Sequence, residues 1–115
     1  LYSQNKRRQV WLAETTADGW EHTQILHNVL TFSGNLTQQK TYAIAYEDMS
    51  GKFVDTGSIK LLRGRGQNWK LVHIDHEGPG GKHLDMALND KGQAVIVYFS
   101  RTVRGIKVYD ESAPQ

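Results

Sequence analysis

The feature that most constrains this chain is an internal repeat with an offset of 49 residues. Four pairs of similar residues keep this one offset: Val10 and Ile59, Trp20 and Trp69, Ile25 and Ile74, and His27 and His76. Chance seldom places four such pairs in one register. Sequences that repeat at roughly 20–50 residues build folds in which each copy is one supersecondary unit stacked on its neighbours. The repeat therefore predicts stacked copies of a small unit.

A second set of similar segments precedes these copies. Tyr42–Glu47 and Ala94–Phe99 share an Ile-x-Tyr core, and Leu1–Ser3 resembles the end of a third copy. The second set leads the first by 8 residues in the outer copies and by 13 residues in the middle copy. The five additional residues lie within Ser50–Gly57. Insertions in repeat proteins fall in loops, so we predict a longer turn there.

Turn residues divide the chain into short strands. Asp90-Lys91-Gly92 has the composition of a hairpin turn, and residues 17–19 and 64–68 hold equivalent positions in their copies. No window of 11 residues carries a helical stripe of apolar residues. Strand a of the unit is predicted over Lys82–Asn89, with a degenerate copy between Val29 and Gln38.

With strands labelled a to d, the chain reads b-c-d, a-b-c-d, a-b-c. The predicted units are residues 1–27 (a partial blade), 28–76 (a complete blade) and 77–115 (a partial blade). In Ala94–Phe99 the residues that point to either side of the strand are all apolar. An antiparallel strand with one wet face should alternate between apolar and polar residues, so we expect sheets to cover both faces. This pattern favours an all-β fold of β-propeller blades, each a four-stranded antiparallel meander. A β-sandwich is the alternative.

The segment His83–Tyr98 resembles the blade pattern of bacterial sialidase-like repeat propellers of the Asp-box type. In that pattern an apolar strand leads to Asp-x-Gly and then to an apolar strand that ends in tyrosine. Ile106-Lys107-Val108 is similar to the next strand, and Trp69 to the tryptophan that opens the outer strand. The resemblance implies a propeller of which this chain forms about two and a half blades. The rest of a longer chain, or further copies, would then close the ring.

The resemblance also implies an Asp-box turn, of the form Ser-x-Asp-x-Gly-x-x-Trp. Thr16–Trp20 lies at the expected place, but it lacks the two residues between glycine and tryptophan. The equivalent Arg65–Trp69 has no aspartate. An Asp-box is itself a structural turn, so neither segment predicts catalysis.

The candidate ligand-binding residues are an aromatic side chain and the arginines near predicted turns. They are Trp69, Arg63, Arg65, Arg101 and Arg104. A sialidase-like site needs an arginine cluster, a tyrosine nucleophile and a carboxylate. Tyr46 and Tyr98 recur in each unit, so packing explains them better than catalysis. We assign no catalytic residue.

Histidine and aspartate side chains alternate on two predicted strands. His73 and Asp75 should share one face of their strand, as should His83 and Asp85, and such groups can ligate zinc or nickel. His76 repeats His27, which favours a structural role for that position. We predict no metal site and no cofactor.

Composition excludes several classes of function. Fourteen lysines and arginines nearly balance twelve acidic residues, giving a net charge of +2, too weak to predict nucleic-acid binding. No apolar run approaches the roughly 20 residues that span a bilayer. With no cysteine, disulfides and thiolate metal sites are excluded.

These observations predict a binding module, a propeller segment that presents loops to a carbohydrate or protein ligand outside the cytoplasm or at the cell surface. The alternatives are part of a sialidase-like glycoside hydrolase with most of its site outside this chain, and a structural or assembly element. Because the first unit begins at strand b and the last ends at strand c, we expect an open apolar face. These residues should therefore sit within a larger chain or a ring of copies, not stand as a self-sufficient monomer.

Overall fold

The computed structural model describes residues 2–4, 9–49, 57–76, 83–100 and 102–113, with the backbone alone for 2–4. Of these residues 73% lie in strands and none lies in a helix. The strands are β1 (Tyr2–Gln4), β2 (Gln9–Thr16), β3 (Gly19–Leu26), β4 (Val29–Leu36), β5 (Tyr42–Asp48), β6 (Ser58–Arg65), β7 (Asn68–His76), β8 (Leu84–Leu88), β9 (Ala94–Ser100) and β10 (Gly105–Asp110). This confirms the all-β prediction.

The strands form three antiparallel meanders, each with neighbours in chain order. Sheet A is β1-β2-β3, sheet B is β4-β5-β6-β7, and sheet C is β8-β9-β10. The strand sequence over the described residues is therefore the predicted b-c-d, a-b-c-d, a-b-c. The additional turn expected between β5 and β6 lies mostly in residues 50–56, outside the described part of the chain. The division of the chain into three folding units stays a prediction.

Strand registers repeat from sheet to sheet. One cross-strand pair joins strands b and c at the same place in every unit: Tyr2 with Trp11, Tyr46 with Lys60, and Tyr98 with Lys107. A β-bulge also repeats between strands c and d, at Ile25 in sheet A and at Ile74 in sheet B. A bulge adds one unpaired residue and twists the strand. The 49-residue offset thus marks a repeat of register and not of composition alone.

The hairpin between strands a and b repeats as well. The Thr37 N–H donates to the Thr41 carbonyl at 2.8 Å, and the Asn89 N–H donates to the Gln93 carbonyl at 2.9 Å. The fourth residue of each turn has a positive φ, 66° at Lys40 and 76° at Gly92. Glycine adopts this conformation freely, whereas lysine does so at a cost.

The sheets stack in one direction. We call face 1 of a sheet the side that carries Val10, Ile59 or Ile106, and face 2 the opposite side. Face 1 of sheet A packs on face 2 of sheet B through Val10 and Tyr46. Face 1 of sheet B packs on face 2 of sheet C. That second contact buries Ala43, Ala45, Ile59, Leu61, Met86, Ala94, Ile96 and Tyr98.

The stacking leaves β5 covered on both sides. Residues 43–48 are all buried. For β9, where the apolar pattern of Ala94–Phe99 predicted cover on both faces, only face 2 is covered, through Ala94, Ile96 and Tyr98, and face 1 stays partly open. The three sheets formed by the described residues do not close into a ring. Three stacked layers are compatible with a β-sandwich as well as with a propeller segment.

The first strands of sheets B and C, β4 and β8, make the most extensive contact between described strands of different sheets. The Ser33 hydroxyl donates to Asp85 at 3.2 Å, and the Asn35 amide donates to the Met86 carbonyl at 3.3 Å. The sheets therefore meet most tightly along β4 and β8, at one side of the stack.

Candidate ligand platform at one end of sheet B

Turns that follow strands a and c lie at the same end of each meander, because successive antiparallel strands reverse direction. At this end of sheet B, four side chains from different strands come together. Tyr42 opens β5, Arg65 closes β6, Trp69 is the second residue of β7, and Glu14 reaches across from β2 of sheet A. We call Glu14, Tyr42, Arg65 and Trp69 the platform.

Gly64 sets the spacing of the two aromatic rings. Both Tyr42 and Trp69 pair directly with Gly64, one from each neighbouring strand, so all three lie on face 2. The rings are stacked at 17° with 6.4 Å between their centroids. Gly64 has a φ of 147°, and a Cβ there would lie 2.0 Å from the Asn68 carbonyl oxygen. Glycine is therefore required for the close turn that places Trp69 beside Tyr42.

Polar contacts fix the platform at its rim. The Tyr42 hydroxyl donates to Glu14 Oε2 at 2.8 Å, and Arg65 donates to the same oxygen at 2.9 Å. Arg65 also donates to the Lys40 carbonyl at 2.9 Å, and its guanidinium carbon lies 5.6 Å from the centre of the Tyr42 ring. Burial raises the pKa of Tyr42, and the hydrogen bond to Glu14 raises it further. Tyr42 therefore acts as a neutral hydrogen-bond donor.

A hydrogen bond to the β6–β7 turn fixes the Trp69 ring. Its Nε1 donates to the Gly66 carbonyl at 2.8 Å, so the indole is anchored to the β6–β7 turn. Trp69 and Tyr42 are each half-buried, whereas Arg65 is exposed. The platform thus combines pre-positioned aromatic surface with a guanidinium and a carboxylate at its edge, the groups that bind a ligand with both an apolar face and hydroxyls.

The predicted arginines do not form one cluster. Arg65 lies beside Trp69, but Arg63 points to face 1 of sheet B and pairs with Glu111 of the sheet C unit. Glu111 also accepts a hydrogen bond from the Ala94 N–H at 2.6 Å. Arg63 is therefore a contact between sheets, with its side chain 25% exposed. Arg104 is exposed in the β9–β10 turn, at the opposite end of the sheets, and Arg101 lies outside the described residues.

Trp20 and Trp69 occupy equivalent positions, as predicted. Trp20 pairs with Thr15, and Trp69 pairs with Gly64, at the matching place in the next copy. Their environments differ, because Trp20 is 65% exposed. In the turn before Trp20, the Thr16 hydroxyl accepts from the Asp18 N–H at 3.2 Å. This contact holds the backbone of the turn, and the structural role expected of an Asp-box turn stays a prediction.

The recurring tyrosines serve packing. Tyr46 is buried, and burial together with the nearby Asp48 raises its pKa to about 12. A phenol with so high a pKa is a poor nucleophile at neutral pH. Tyr98 donates to Asp75 Oδ2 at 2.6 Å across the interface between sheets B and C.

The prediction that His73 and Asp75 share a face was wrong. The bulge at Ile74 lies between them, so His73 pairs with Lys60 on face 2 while Asp75 pairs with Ile59 on face 1.

Burial alone would raise the pKa of Asp75. Hydrogen bonds from Tyr98, from Lys107 at 3.0 Å and from the His76 N–H outweigh that effect and lower the pKa to about 2. Among the described residues, no group of three histidine, cysteine or acidic side chains is placed to hold a metal ion.

Two platform residues, Glu14 and Tyr42, were not predicted. Glu14 lies 51 residues from Arg65 in sequence, and no local motif links them. Tyr42 could have been found from the strand register. It pairs with Gly64 from one side of β6, and Trp69 pairs with Gly64 from the other side, so the two rings lie over the same glycine.

The described residues contain no helix that is long and apolar enough to cross a membrane. Comparison with known proteins returned no match among family models, curated proteins or solved structures.

Proposed function

We propose that this chain is a binding module, a segment of a β-propeller that presents the turns at one end of its sheets to a carbohydrate ligand outside the cell or at its surface. The observation that carries the proposal is the stacked Tyr42–Trp69 pair with Arg65 and Glu14 at its edge. Sugar rings have apolar C–H faces that lie against aromatic rings, and hydroxyls that bond to charged groups.

Two features of the stacking favour a propeller over a sandwich. Face 1 of one sheet meets face 2 of the next at both interfaces, and this head-to-tail order can continue indefinitely. The sheets also converge along β4 and β8, as blades do when their first strands line a common axis. A two-sheet sandwich would bury one face of each sheet and leave the other wet.

The test is binding of the chain to an array of immobilised glycans, followed by titration of the best ligand. We expect Arg65→Ala and Trp69→Ala each to weaken binding at least about tenfold, since each removes a contact worth about 1.4 kcal/mol. Arg104→Ala is the matched control, because it removes the same charge from an exposed turn at the opposite end. Its affinity should equal that of the wild type.

Two results would contradict the proposal. One is an array on which no immobilised glycan retains the chain. The other is an equal effect of Arg65→Ala and Arg104→Ala, which would indicate attraction by net charge alone. Release of sugar from the array, in place of retention, would favour the sialidase-like hydrolase.

A further inference from the structure

Sheet C leaves an apolar face open, and the repeat shows what covers such a face. On face 1 of sheet C, Val97 is 37% exposed, Ile106 63% and Val108 61%. Phe99, opposite Ile106, and Val95, opposite Asp110, lie on the same face. These residues form a continuous stripe across β9 and β10.

The equivalent residues of sheet B are fully covered. By register, Val97 corresponds to Ala45, Ile106 to Ile59, and Val108 to Leu61. In sheet B these three are 0%, 2% and 0% exposed. The cover is face 2 of sheet C, which includes Ile96 and Tyr98. Face 1 of a sheet in this chain is thus a surface that accepts face 2 of the following sheet.

Sheet A provides the complementary open face. Its face 1 is occupied by sheet B, but no described sheet lies on its face 2, which carries Trp11 and Ala13. By register, Trp11 corresponds to Lys107 and Ala13 to Tyr109. In sheet C those two positions contact sheet B, because Lys107 bonds to Asp75 and Tyr109 packs on the buried cluster.

We infer that face 1 of sheet C docks on face 2 of sheet A of a second copy of this chain. The contact would continue the interface already present twice within the chain, with the same faces and the same stacking direction. An interface between two different faces is heterologous, so it builds rings when its rotation closes and filaments when it does not. The inference is independent of the proposed carbohydrate ligand, because the platform residues lie on sheet B and on face 1 of sheet A.

The test measures molar mass by light scattering over a range of concentrations. The wild type should exceed the 13.0 kDa of one chain, and its mass should rise with concentration. Val108→Glu places a charge on face 1 of sheet C, and Ala13→Glu places one on face 2 of sheet A. Each variant alone should lose the concentration dependence. Leu71→Glu, at an apolar position of β7 that is 51% exposed, should associate as the wild type does.

Mixing the two variants distinguishes a heterologous contact from a symmetric one. Each mixed pair retains one intact face 1 and one intact face 2, so an equimolar mixture should form dimers of twice the single-chain mass and nothing larger. A mixture that stays monomeric would overturn the inference, as would a wild type that is monomeric at all concentrations. Trp11→Glu serves as a second face 2 variant should Ala13→Glu change the circular dichroism spectrum.

Discussion

Among the described acidic residues, Asp75 is the one whose pKa is lowered furthest. It receives hydrogen bonds from Tyr98, Lys107 and the His76 N–H, and the first two come from sheet C. The lowered pKa, about 2, means that the folded chain holds the ionised carboxylate more tightly than the unfolded chain does. Protonation of the Asp75 carboxylate should therefore weaken the contact between sheets B and C.

Acid should weaken that contact in a defined range. Because the folded pKa lies below the usual value of 3.8, the stabilisation is present above about pH 4 and is lost as the pH falls through about 2. Water screens part of this pair, so we expect about 1 kcal/mol. Urea unfolding should show Asp75→Asn less stable than the wild type at pH 6, with the difference shrinking towards pH 2. Asp90→Asn in the exposed β8–β9 turn is the control, and a difference that stays constant with pH would contradict the prediction.

Lys40 occupies a left-handed position that glycine fills in the equivalent turn. The left-handed conformation costs a non-glycine residue roughly 1–2 kcal/mol, and glycine removes this cost. Glycine also raises the conformational entropy of the unfolded chain, which offsets part of the stabilisation. Lys40→Gly should therefore raise the free energy of unfolding by about 0.5–1 kcal/mol. Lys40→Ala, which removes the side chain but keeps the strain, should not. Equal effects of the two substitutions would mean that the lysine side chain and not the backbone is responsible.

At the scale of the strand, the two repeated tryptophans should differ in their contribution to stability. Trp69 is half-buried, stacked on Tyr42 and bonded to Gly66, whereas Trp20 is mostly exposed. Truncating a fully buried tryptophan costs roughly 3–5 kcal/mol, so we expect about 2 kcal/mol for Trp69→Ala and about 0.5 kcal/mol for Trp20→Ala. Thermal unfolding of both variants measures this. Equal losses would show that the Tyr42 stack adds nothing.

The order and pairing of the strands could be predicted because the repeat constrains them. Once Tyr46 and Tyr98 are aligned, Lys60 and Lys107 hold equivalent places in the following strand, and each pairs with the tyrosine of its own unit. Apolar residues on both faces of strand b favour a sheet on each side, which β5 has and β9 lacks on its face 1.

The positions of the candidate site residues were predicted only in part, for two physical reasons. A bulge adds one unpaired residue and so interrupts the alternation of faces along a strand. Strict alternation placed His73 and Asp75 on one face, but the bulge at Ile74 puts them on opposite faces. Contacts between sheets, such as Arg63 with Glu111, depend on how the units stack, which no local pattern encodes. Tracing the strand directions would have separated Arg65 from Arg104, because the c–d and b–c turns lie at opposite ends.

For the whole molecule, the stacking predicts a gradient of local stability from sheet B outwards. Strand β5 is hydrogen-bonded on both edges and covered on both faces, whereas β3 is an edge strand whose first six residues are exposed. Elements with few buried contacts open locally at lower free energy. Amide hydrogen exchange should therefore be slowest in β5 and fastest in β3.

Exchange in β9 should report on association through its open face. At low protein concentration, β9 amides should exchange faster than those of β5, because face 1 of sheet C is uncovered. Raising the concentration should slow β9 while leaving β5 unchanged, and Val108→Glu should abolish that change. Uniform exchange across β3, β5 and β9 would instead mean that the three sheets open as one cooperative unit, in which case the sheets would not stack as separable layers.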